Sequence, residues 1–270
     1  MNQSTFLRKE KKYLITPDQQ NRLMSLAGER LVPAEYPDSL VVSLYLDSPD
    51  FSMIRRSIEA GNEGLAYKEK LRIRCYGTPD EDSPVFFEVK KKFLGTVSKR
   101  RIVTDLAAMD AYLQKGLLPQ QSQIMSELDY TMRRNGQPRR VMLIAYNRQA
   151  YKDTGSAALR VTFDRSIRFR TDDLDPRLGT AGKRILPPGT VLMEVKAPGF
   201  MPLWLAKAID SCGIRPASFS KAGEALRIMN EEKRTEETRC KHYSLQSYRE
   251  VSLSPDTLSA CSAPLPAALS

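Results

Sequence analysis

The sequence predicts an α+β fold, in which an antiparallel β-barrel forms a tunnel with a polar, basic lumen and helices pack outside it. Two patterns support this prediction. Segments with the two-residue period of β-strands are separated by segments with helical signals. In each alternating segment, one face is rich in basic residues and the other is mostly apolar. Helices can cover the apolar faces, and closing the sheet turns the charged faces toward one another.

Five segments share this alternation, and the most basic of them is residues 67–76, with the sequence YKEKLRIRCY. The cations at positions 68, 70, 72 and 74 fall on one face of the predicted strand, and no acidic residue shares that face. One such strand by itself is more often a solvated sheet face. The recurrence of the pattern favours a shared lumen. The five segments are Phe6–Ile15, Tyr67–Tyr76, Val85–Lys92, Leu159–Arg165 and Val191–Lys196.

Local signals place the other elements in the first half of the chain. Thr16 is positioned to cap a helix. Residues 40–46 form a β-rich run, and a short helix follows at about 51–58. Phe93-Leu94-Gly95 predicts a hairpin turn into a strand at 96–103, and the pattern leaves the facing of that strand undecided.

The second half of the chain alternates helices with further strands. Thr104 is positioned to cap a helix that ends at Lys115. We expect residues 1–232 to form one folded domain and residues 233–270, rich in Ser, Pro and Thr, to be a disordered tail. The remaining predicted elements are helices at about 120–134, at 202–211 and from Ser218 to about Glu232, and strands at 139–151, 159–165 and 191–196.

Composition narrows the possible functions. Lys and Arg outnumber Asp and Glu by 42 to 32, and the resulting net charge of +10 favours an anionic partner. The four cysteines form no CxxC pair and the chain has one histidine, so a zinc site and Cys–His or Ser–His catalysis are disfavoured. Scattered thiols and the lack of a signal peptide or membrane-span-length apolar stretch predict a cytoplasmic chain, free or peripheral at the inner face of the membrane.

A basic lumen suits a chain of phosphates, because guanidinium groups clamp phosphate oxygens and lysines act as movable point charges. Carboxylates among the cations suit Mg²⁺ or Mn²⁺, which bridge phosphate oxygens. Such a set supports phosphoryl transfer by positioning and charge neutralisation. The predicted phosphate-binding residues are Lys12, Lys70, Arg72, Arg74, Lys90, Lys99, Arg101, Arg148, Arg160 and Lys196. The predicted metal ligands are Glu10, Glu88, Asp164 and Glu194.

Simpler interpretations of single residues stay open on the sequence alone. Glu88 and Glu194, taken separately, are more often salt-bridge partners than metal ligands. Lys221, next to a predicted helix start, could be an exposed helix residue. RNA or DNA binding fits less well, because the aromatic residues do not interleave with the basic residues as a stacking platform requires.

An ordered series of motifs runs along the chain: RKEKKY at 8–13, SLYLDS at 43–48, KLRIRCYG at 70–77, FEVK at 87–90, LMEVK at 192–196 and SFSK at 218–221. This series resembles the VTC domain, the catalytic domain of the vacuolar transporter chaperone complex. The family has bacterial relatives and lies in the triphosphate tunnel metalloenzyme (CYTH-like) superfamily. The resemblance covers about residues 6–230.

The resemblance implies a polyphosphate polymerase, which transfers the γ-phosphate of ATP to a growing polyphosphate chain inside the tunnel with Mn²⁺ or Mg²⁺. ATP and polyphosphate are then the partners, nucleic acid is not, and a separate membrane protein is a candidate receiver of the product. Carried over by position, Glu194 is expected to hold the metal. The residues expected to bind phosphate are Lys12, Arg72, Arg74, Lys90, Lys99, Arg148 and Lys221, of which Arg72, Arg74, Lys90 and Lys221 are the expected catalytic residues.

Two other activities remain open on the same resemblance. One is a hydrolase of tripolyphosphate or nucleoside triphosphates, and the other is a non-catalytic polyphosphate-binding module. The first strand reads Arg-Lys-Glu-Lys-Lys at positions 8–12, where the hydrolases of the superfamily typically read Glu-x-Glu-x-Lys. A base in place of one acid disfavours a two-metal hydrolase and fits a polymer-binding tunnel better.

Overall fold

The computed structural model describes residues 8–59, 67–94 and 96–251. Within these ranges the chain forms nine strands and six helices. The strands are β1 (Arg8–Ile15), β2 (Leu31–Asp47), β3 (Tyr67–Tyr76), β4 (Pro84–Phe93), β5 (Thr96–Asp105), β6 (Arg139–Asp153), β7 (Arg160–Arg170), β8 (Lys183–Arg184) and β9 (Val191–Pro198). The helices are α1 (Pro17–Ala27), α2 (Ser52–Glu59), α3 (Leu106–Lys115), α4 (Gln123–Arg134), α5 (Leu203–Ser211) and α6 (Lys221–Val251).

All the strands belong to one antiparallel sheet. Its order is β1-β9-β7-β6-β2-β3-β4-β5, and the short β8 pairs with β7 beside this path. The sheet curls on itself, since Glu10 on β1 and Lys90 on β4 come from nearly opposite ends of this order and approach to 3.6 Å. The predicted fold class is confirmed. One detail differs: in the described residues no backbone pairing joins β1 to β5, so side chains rather than a strand ladder complete the tunnel.

The apolar residues of β2 to β5 point outward and pack under α2, α3 and α4. Leu44, Ile73 and Phe87 are fully buried in this first cluster, together with Met109 and Leu128 of the covering helices. Full burial of a side chain of this size stabilises the fold by about 1.5–3 kcal/mol. The alternating pattern therefore fixes which side of these strands is the outside.

A second apolar cluster lies on the outer side of β1, β7 and β9. Tyr13, Phe163 and Met193 from the strands pack with Leu23 of α1 and Leu205 of α5. The helices thus cover both halves of the outer surface, as the sequence predicts. This leaves the opposite, mostly charged faces of the same strands to line the interior.

The start of α1 follows the sequence prediction, and the start of α3 differs from it by one residue. Thr16 caps α1 in a capping box with Gln19, whose backbone N–H donates to the Thr16 hydroxyl at 3.1 Å. The cap of α3 is Asp105, which accepts from the Ala108 N–H at 2.6 Å, and not Thr104. A carboxylate at this position also favours the positive end of the helix dipole.

Asp47 joins the end of β2 to the start of α2. Its carboxylate is fully buried and accepts hydrogen bonds from the backbone N–H groups of Ser48 at 2.8 Å and of Met53 and Ile54 at 2.9 Å each. The aspartate in the SLYLDS motif is therefore structural, because it satisfies N–H groups that a helix start leaves without partners.

The helix α6 continues to Val251, so the predicted end near Glu232 is wrong. Residues 233–251 lack apolar periodicity but are rich in Glu, Lys and Arg, which favour helix formation. The chain divides into two compact units at residue 226, and the described part of the second unit is helical. Residues 252–270 of the predicted tail lie outside the described residues. None of the described helices is long and apolar enough to span a membrane.

We expect Asp47→Ala to lower the free energy of unfolding by about 2–3 kcal/mol, because three backbone donors lose their buried acceptor. Urea denaturation monitored by circular dichroism measures this change. Asp82→Ala, in an exposed loop, is the matched control and should change stability by less than about 0.5 kcal/mol. Equal stabilities of the two variants would contradict the structural role of Asp47.

Candidate functional site

The inner face of the curled sheet gathers the predicted basic residues and carboxylates around three ion-pair groups. One group is centred on Glu88, one on Asp164 with Glu194, and one on Glu10. These groups draw side chains from β1, β3, β4, β5, β6, β7 and β9 and from the first residue of α6. Residues far apart in sequence therefore meet at one surface, as the lumen hypothesis requires.

Glu88 lies between cations of the two neighbouring strands. Glu88 is 1% exposed, and in the sheet it lies directly between Arg72 of β3 and Arg101 of β5. Arg72 donates from Nε and Nη2 to one carboxylate oxygen at 2.8 Å each, and Lys99 pairs with the other oxygen. Burial opposes ionisation of Glu88, but Arg72 and Lys99 outweigh it and lower its pKa to about 2. Glu88 is therefore an anion that holds Arg72 in place.

Asp164 and Glu194 share two cations. Arg148 binds Asp164 with two hydrogen bonds of 2.6 and 2.7 Å and reaches Glu194 at 3.2 Å. Lys221 lies 2.6 Å from Asp164 and 3.1 Å from Glu194. Burial opposes charge on Glu194, but Lys221, Lys12 and Arg148 outweigh it and hold the pKa of its carboxyl well below the usual range. The four side chains form a fixed, nearly inaccessible network.

The start of α6 brings the SFSK motif into this network. Lys221 is not an exposed helix residue, because its side chain is 9% exposed and paired with both carboxylates. Burial lowers its pKa, but the charges of Glu194 and Asp164 outweigh burial and raise it. The two residues before it also bond to strand lysines: the Phe219 carbonyl accepts from Lys12 at 2.8 Å, and the Ser220 hydroxyl accepts from Lys70 at 2.9 Å.

Glu10 bridges the two ends of the strand order. Its carboxylate lies 3.5 Å from Lys12 on its own strand and 3.6 Å from Lys90 on β4. Burial raises its pKa and the negative charge of Glu194 does the same, but Lys90, Lys196 and Lys12 produce a net lowering. Lys12 also lies 3.7 Å from Glu194, so it links this group to the Asp164 network.

Three predicted phosphate-binding cations of the inner face form no direct ion pair. Lys70, Arg74 and Lys196 are largely buried, yet none forms an ion pair with a carboxylate in the part of the chain that the structure describes. Burial and nearby cations lower the pKa of Lys70 to about 8. Burial likewise lowers the pKa of Lys196, against the opposing effect of Glu194. Positive charge is thus only partly compensated here.

One predicted residue stands apart from these groups. Arg160 lies at the end of β7, opposite Lys196 on the sheet register, and it is exposed. Within the described ranges it forms no ion pair or hydrogen bond with another predicted site residue. Its position is at the margin of the inner face, away from the paired carboxylates.

Two tyrosines belong to the inner face, and sequence reasoning did not assign them a role. Tyr146 is buried, and Lys221 and Arg148 lie 4.6 and 5.2 Å from its ring centroid. Tyr45 is buried directly opposite Arg72. Burial opposes ionisation of Tyr45, but Arg72 and Lys70 outweigh it and lower the pKa of its hydroxyl. Two features of the sequence could have identified them. Tyr146 lies two residues before Arg148, and so on the same face of the strand, and Tyr45 lies within the SLYLDS motif.

The predicted metal ligands fit that role unequally. Glu88 and Asp164 do not fit, because both are buried and their oxygens are taken by arginine and lysine. Among the described residues, no group of three or more His, Cys, Asp or Glu side chains could hold an ion. Glu194 is buried as well, and its two oxygens are paired with Lys221 and Arg148, so an ion would have to replace one of these cations to bind it. Glu10 is more exposed, with Lys12 and Lys90 at 3.5 and 3.6 Å. Magnesium often binds through one or two carboxylates plus substrate phosphates, and Glu10 is the predicted ligand that fits this role best.

Comparisons with known proteins identify the family and the fold. The model of the VTC domain family matches residues 7–230. A solved structure from Bacillus halodurans, described as a candidate adenylate cyclase, is 13% identical and aligns with a TM-score of 0.50 over 79% of this chain and 95% of that chain. A second candidate adenylate cyclase, from Vibrio parahaemolyticus, is 10% identical, with a TM-score of 0.40 over 81% of this chain and 96% of that chain. No curated protein matches the sequence. The first of the two structures shows a shared fold.

The lowered pKa of Lys70 predicts that binding of tripolyphosphate weakens as pH rises through about 8, because Lys70 loses its charge above that value. We expect Lys70→Met to bind about tenfold more weakly at pH 7 and to show less pH dependence. Lys70→Arg should keep binding at pH 9, since its charge does not titrate. Lys99, with a pKa also lowered to about 8 by burial, supplies the remaining dependence.

Isothermal titration calorimetry between pH 6.5 and 9.5 measures this effect. Tripolyphosphate itself titrates in this range, but its effect is the same for the parent and the two variants. Differences between their pH profiles therefore report on Lys70. Identical pH profiles in the parent, Lys70→Met and Lys70→Arg would show that Lys70 does not contact the anion.

The structural role of Glu88 predicts a loss of stability on Glu88→Gln of about 3 kcal/mol at pH 7, because Arg72 loses its buried partner. The folded-state pKa of Glu88 lies below its unfolded value of 4.5, so its contribution is fully present above pH 4.5 and is lost as pH falls toward about 2. The difference between parent and variant should shrink over that window in urea denaturation. Glu127→Gln, which breaks the more exposed pair with Arg100, is the control and should cost less than about 1 kcal/mol.

Proposed function

The chain belongs to the VTC domain family, and on that premise we propose that it is a polyphosphate polymerase that transfers the γ-phosphate of ATP to a growing polyphosphate chain inside the tunnel. Membership in this family and the shared fold support a tunnel that binds triphosphates. We further propose the polymerase activity, the metal and the roles of the single residues.

The main support for the proposal is that Lys70, Arg74 and Lys196 form no direct ion pair among the described residues. A protein that used its inner face only for stability would pair these buried cations, because an unpaired buried charge is costly. Here the neighbouring cations Arg72 and Arg148 are paired, while these three form no direct ion pair among the described residues and feel the carboxylates only at longer range. A chain of phosphates supplies several negative charges in a row and would neutralise them.

The paired cations contribute in a different way. Arg72 and Arg148 are fixed by Glu88 and Asp164 before any ligand arrives. Donors held in advance stabilise developing charge without a cost of reorganisation during the reaction. Lys221, held between two carboxylates, is equally constrained. We assign these three residues, with Arg74 and Lys90, to binding the phosphates that react.

The proposed reaction needs no covalent intermediate on the protein. A terminal oxygen of the polyphosphate bonds to the γ-phosphorus of ATP, and the bond from that phosphorus to the β–γ bridging oxygen breaks. ADP departs with that electron pair. The requirements are in-line positioning and charge neutralisation, which a set of arginines and lysines supplies. Glu10, together with Glu194 once the ion replaces one of its cation partners, would hold Mn²⁺ or Mg²⁺, and the ion would offset phosphate charge.

The same geometry supports the choice of partners. The ring of Tyr146 is covered by Arg148 and Lys221, so it is not free to stack on a nucleobase as a single-strand binding surface requires. We therefore propose ATP and polyphosphate as ligands and no nucleic acid. A cytoplasmic location, with a separate membrane protein as receiver of the product, completes the proposal. The buried free thiols of Cys75 and Cys212 are compatible with a reducing compartment.

Incubation of the purified chain with ATP and Mn²⁺ or Mg²⁺, with and without a short polyphosphate primer, tests the activity. We expect polyphosphate to lengthen on a gel, with one ADP released for each phosphate added. Orthophosphate release without chain growth would indicate a hydrolase, and tight polyphosphate binding without ADP release would indicate a binding module. Either result would overturn the polymerase assignment.

Variants of the unpaired cations give the sharpest test of the site. Arg74→Met breaks no ion pair among the described residues, so the fold should remain intact, whereas Arg72→Met would leave Glu88 buried without its main partner. We expect Arg74→Met to lower kcat/KM by about 100-fold or more. Arg100→Met, on the opposite face of β5, is the matched control and should leave activity unchanged. Full activity of Arg74→Met would remove Arg74 from the site.

A further inference from the structure

The hairpin between β4 and β5 has a sequence that the proposed reaction does not explain. Residues 90–101 read KKKFLGTVSKRR, with three basic residues on each side of a short apolar centre and no acidic residue in the segment. Lys90, Lys99 and Arg101 point to the inner face and belong to the site described above. Lys68 and Lys92 continue this face toward the apex without joining any of its ion-pair groups, and Lys91 lies on the opposite face of β4.

The apex exposes its apolar side chains to solvent. Phe93 is 55% exposed and Leu94 is 72% exposed, and Val97 beside them is also exposed. On the register Phe93 pairs with Tyr67 of β3 and with Thr96 of β5. Leu94 adopts a φ of 45°, which is unusual for a leucine, so the turn presents a bulky apolar residue where glycine or asparagine would fit more easily. The apex therefore presents two bulky apolar side chains to solvent.

Uncompensated lysines surround the apex. Lys92 stands directly opposite Lys68, and Lys91 stands opposite Glu69, whose carboxylate is already taken by Arg134 and Asn135. Among the described residues, Lys68, Lys91 and Lys92 form no ion pair. Burial and the like charge of Lys92 lower the pKa of Lys68. The lysines are therefore arranged to accept an external anion.

We propose that the β4–β5 hairpin tip docks on an anionic lipid surface, with Phe93 and Leu94 inserted below the headgroups and Lys68, Lys91 and Lys92 against the lipid phosphates. Apolar side chains at the centre with cations around them match the layering of a bilayer surface, which is apolar inside and negatively charged outside. The apolar apex, two residues long, is small for the centre of a stable protein interface. An anionic membrane is therefore the partner that the charge and shape of the tip fit best.

This surface is separate from the proposed reaction, so either proposal can fail without the other. Lys68, Lys91 and Lys92 are not among the residues assigned to phosphate binding in the tunnel. A chain held at a membrane by this hairpin would keep β4 and β5, which carry Glu88, Lys90 and Lys99, close to the lipid. The membrane contact would then lie on the strands that supply part of the tunnel wall.

Co-sedimentation of the full chain with sucrose-loaded vesicles tests the proposal. The vesicles contain phosphatidylcholine alone or with about one-third phosphatidylglycerol, at about 0.15 M salt. We expect binding to the anionic vesicles and little to the neutral ones. Equal binding to both, or to neither, would overturn the proposal.

Three variants separate insertion from general electrostatic adhesion. The double variant Phe93→Thr with Leu94→Asn removes the apolar side chains of the apex. Thr suits a strand and Asn tolerates the positive φ, so the fold should be kept. Binding to anionic vesicles should weaken about tenfold or more. Lys91→Gln with Lys92→Gln should weaken it about 25-fold, at about fivefold per lysine. Leu117→Asn with Leu118→Asn, at similarly exposed leucines next to Lys115, is the matched control and should bind as the parent does.

The depth to which the apex enters the bilayer distinguishes insertion into lipid from binding to an anionic surface by charge alone. Phe93→Trp places a reporter at the apex, and its fluorescence should shift to the blue and be quenched by brominated lipids beyond the signal of Trp204, the single tryptophan of the parent. A tryptophan that stays in water while the chain binds would overturn insertion, as would an apex variant that binds like the control. Thermal melts and circular dichroism of all variants check that the fold is intact.

Discussion

The ion pairs of Glu88, Asp164 and Glu194 are the interactions on which the inner face depends. Several strands place cations on the same side, and enclosing like charges without counter-ions is unfavourable. Each of these buried carboxylates joins cations from different elements: Glu88 connects β3 and β5, and Asp164 with Glu194 connects β6 and α6. The sheet can curl around a basic interior because these anions lie between the cations.

Neutralisation of the interior is partial, and the unpaired part is where a ligand fits. Lys70, Arg74 and Lys196 keep their charge without a carboxylate partner among the described residues, and burial lowers the pKa of Lys70 and Lys196. Such positions reduce the stability of the protein without ligand, which is a common feature of binding sites. A bound polyanion would recover that stability. In the proposed function, the paired arginines would keep the site rigid and the unpaired cations would bind the polyanion.

The start of α6 connects the C-terminal part of the chain to the inner face of the sheet. Its first residue, Lys221, completes the network of Asp164 and Glu194, and Ser220 and Phe219 bond to Lys70 and Lys12. A segment more than two hundred residues from Lys12 in sequence is thereby bound to β1. The outer clusters under α1 to α5 hold the strands from the other side. The inner face is therefore set by polar contacts and the outer face by apolar packing.

The sequence by itself determined the strands, the side of each strand that faces inward, and the residue types that line the interior, because side-chain direction alternates with a fixed period along a strand. Arg72, Arg74 and Glu88 could be placed in this way, and the motif series identified the family. Only the tertiary structure decided which carboxylate meets which cation. Glu88 and Asp164 became structural anions, and Lys70 was left unpaired, because the register and curl of the sheet bring together residues that no local pattern relates. The length of α6 could not be predicted from the hydrophobic pattern either, because a polar helix shows no apolar periodicity.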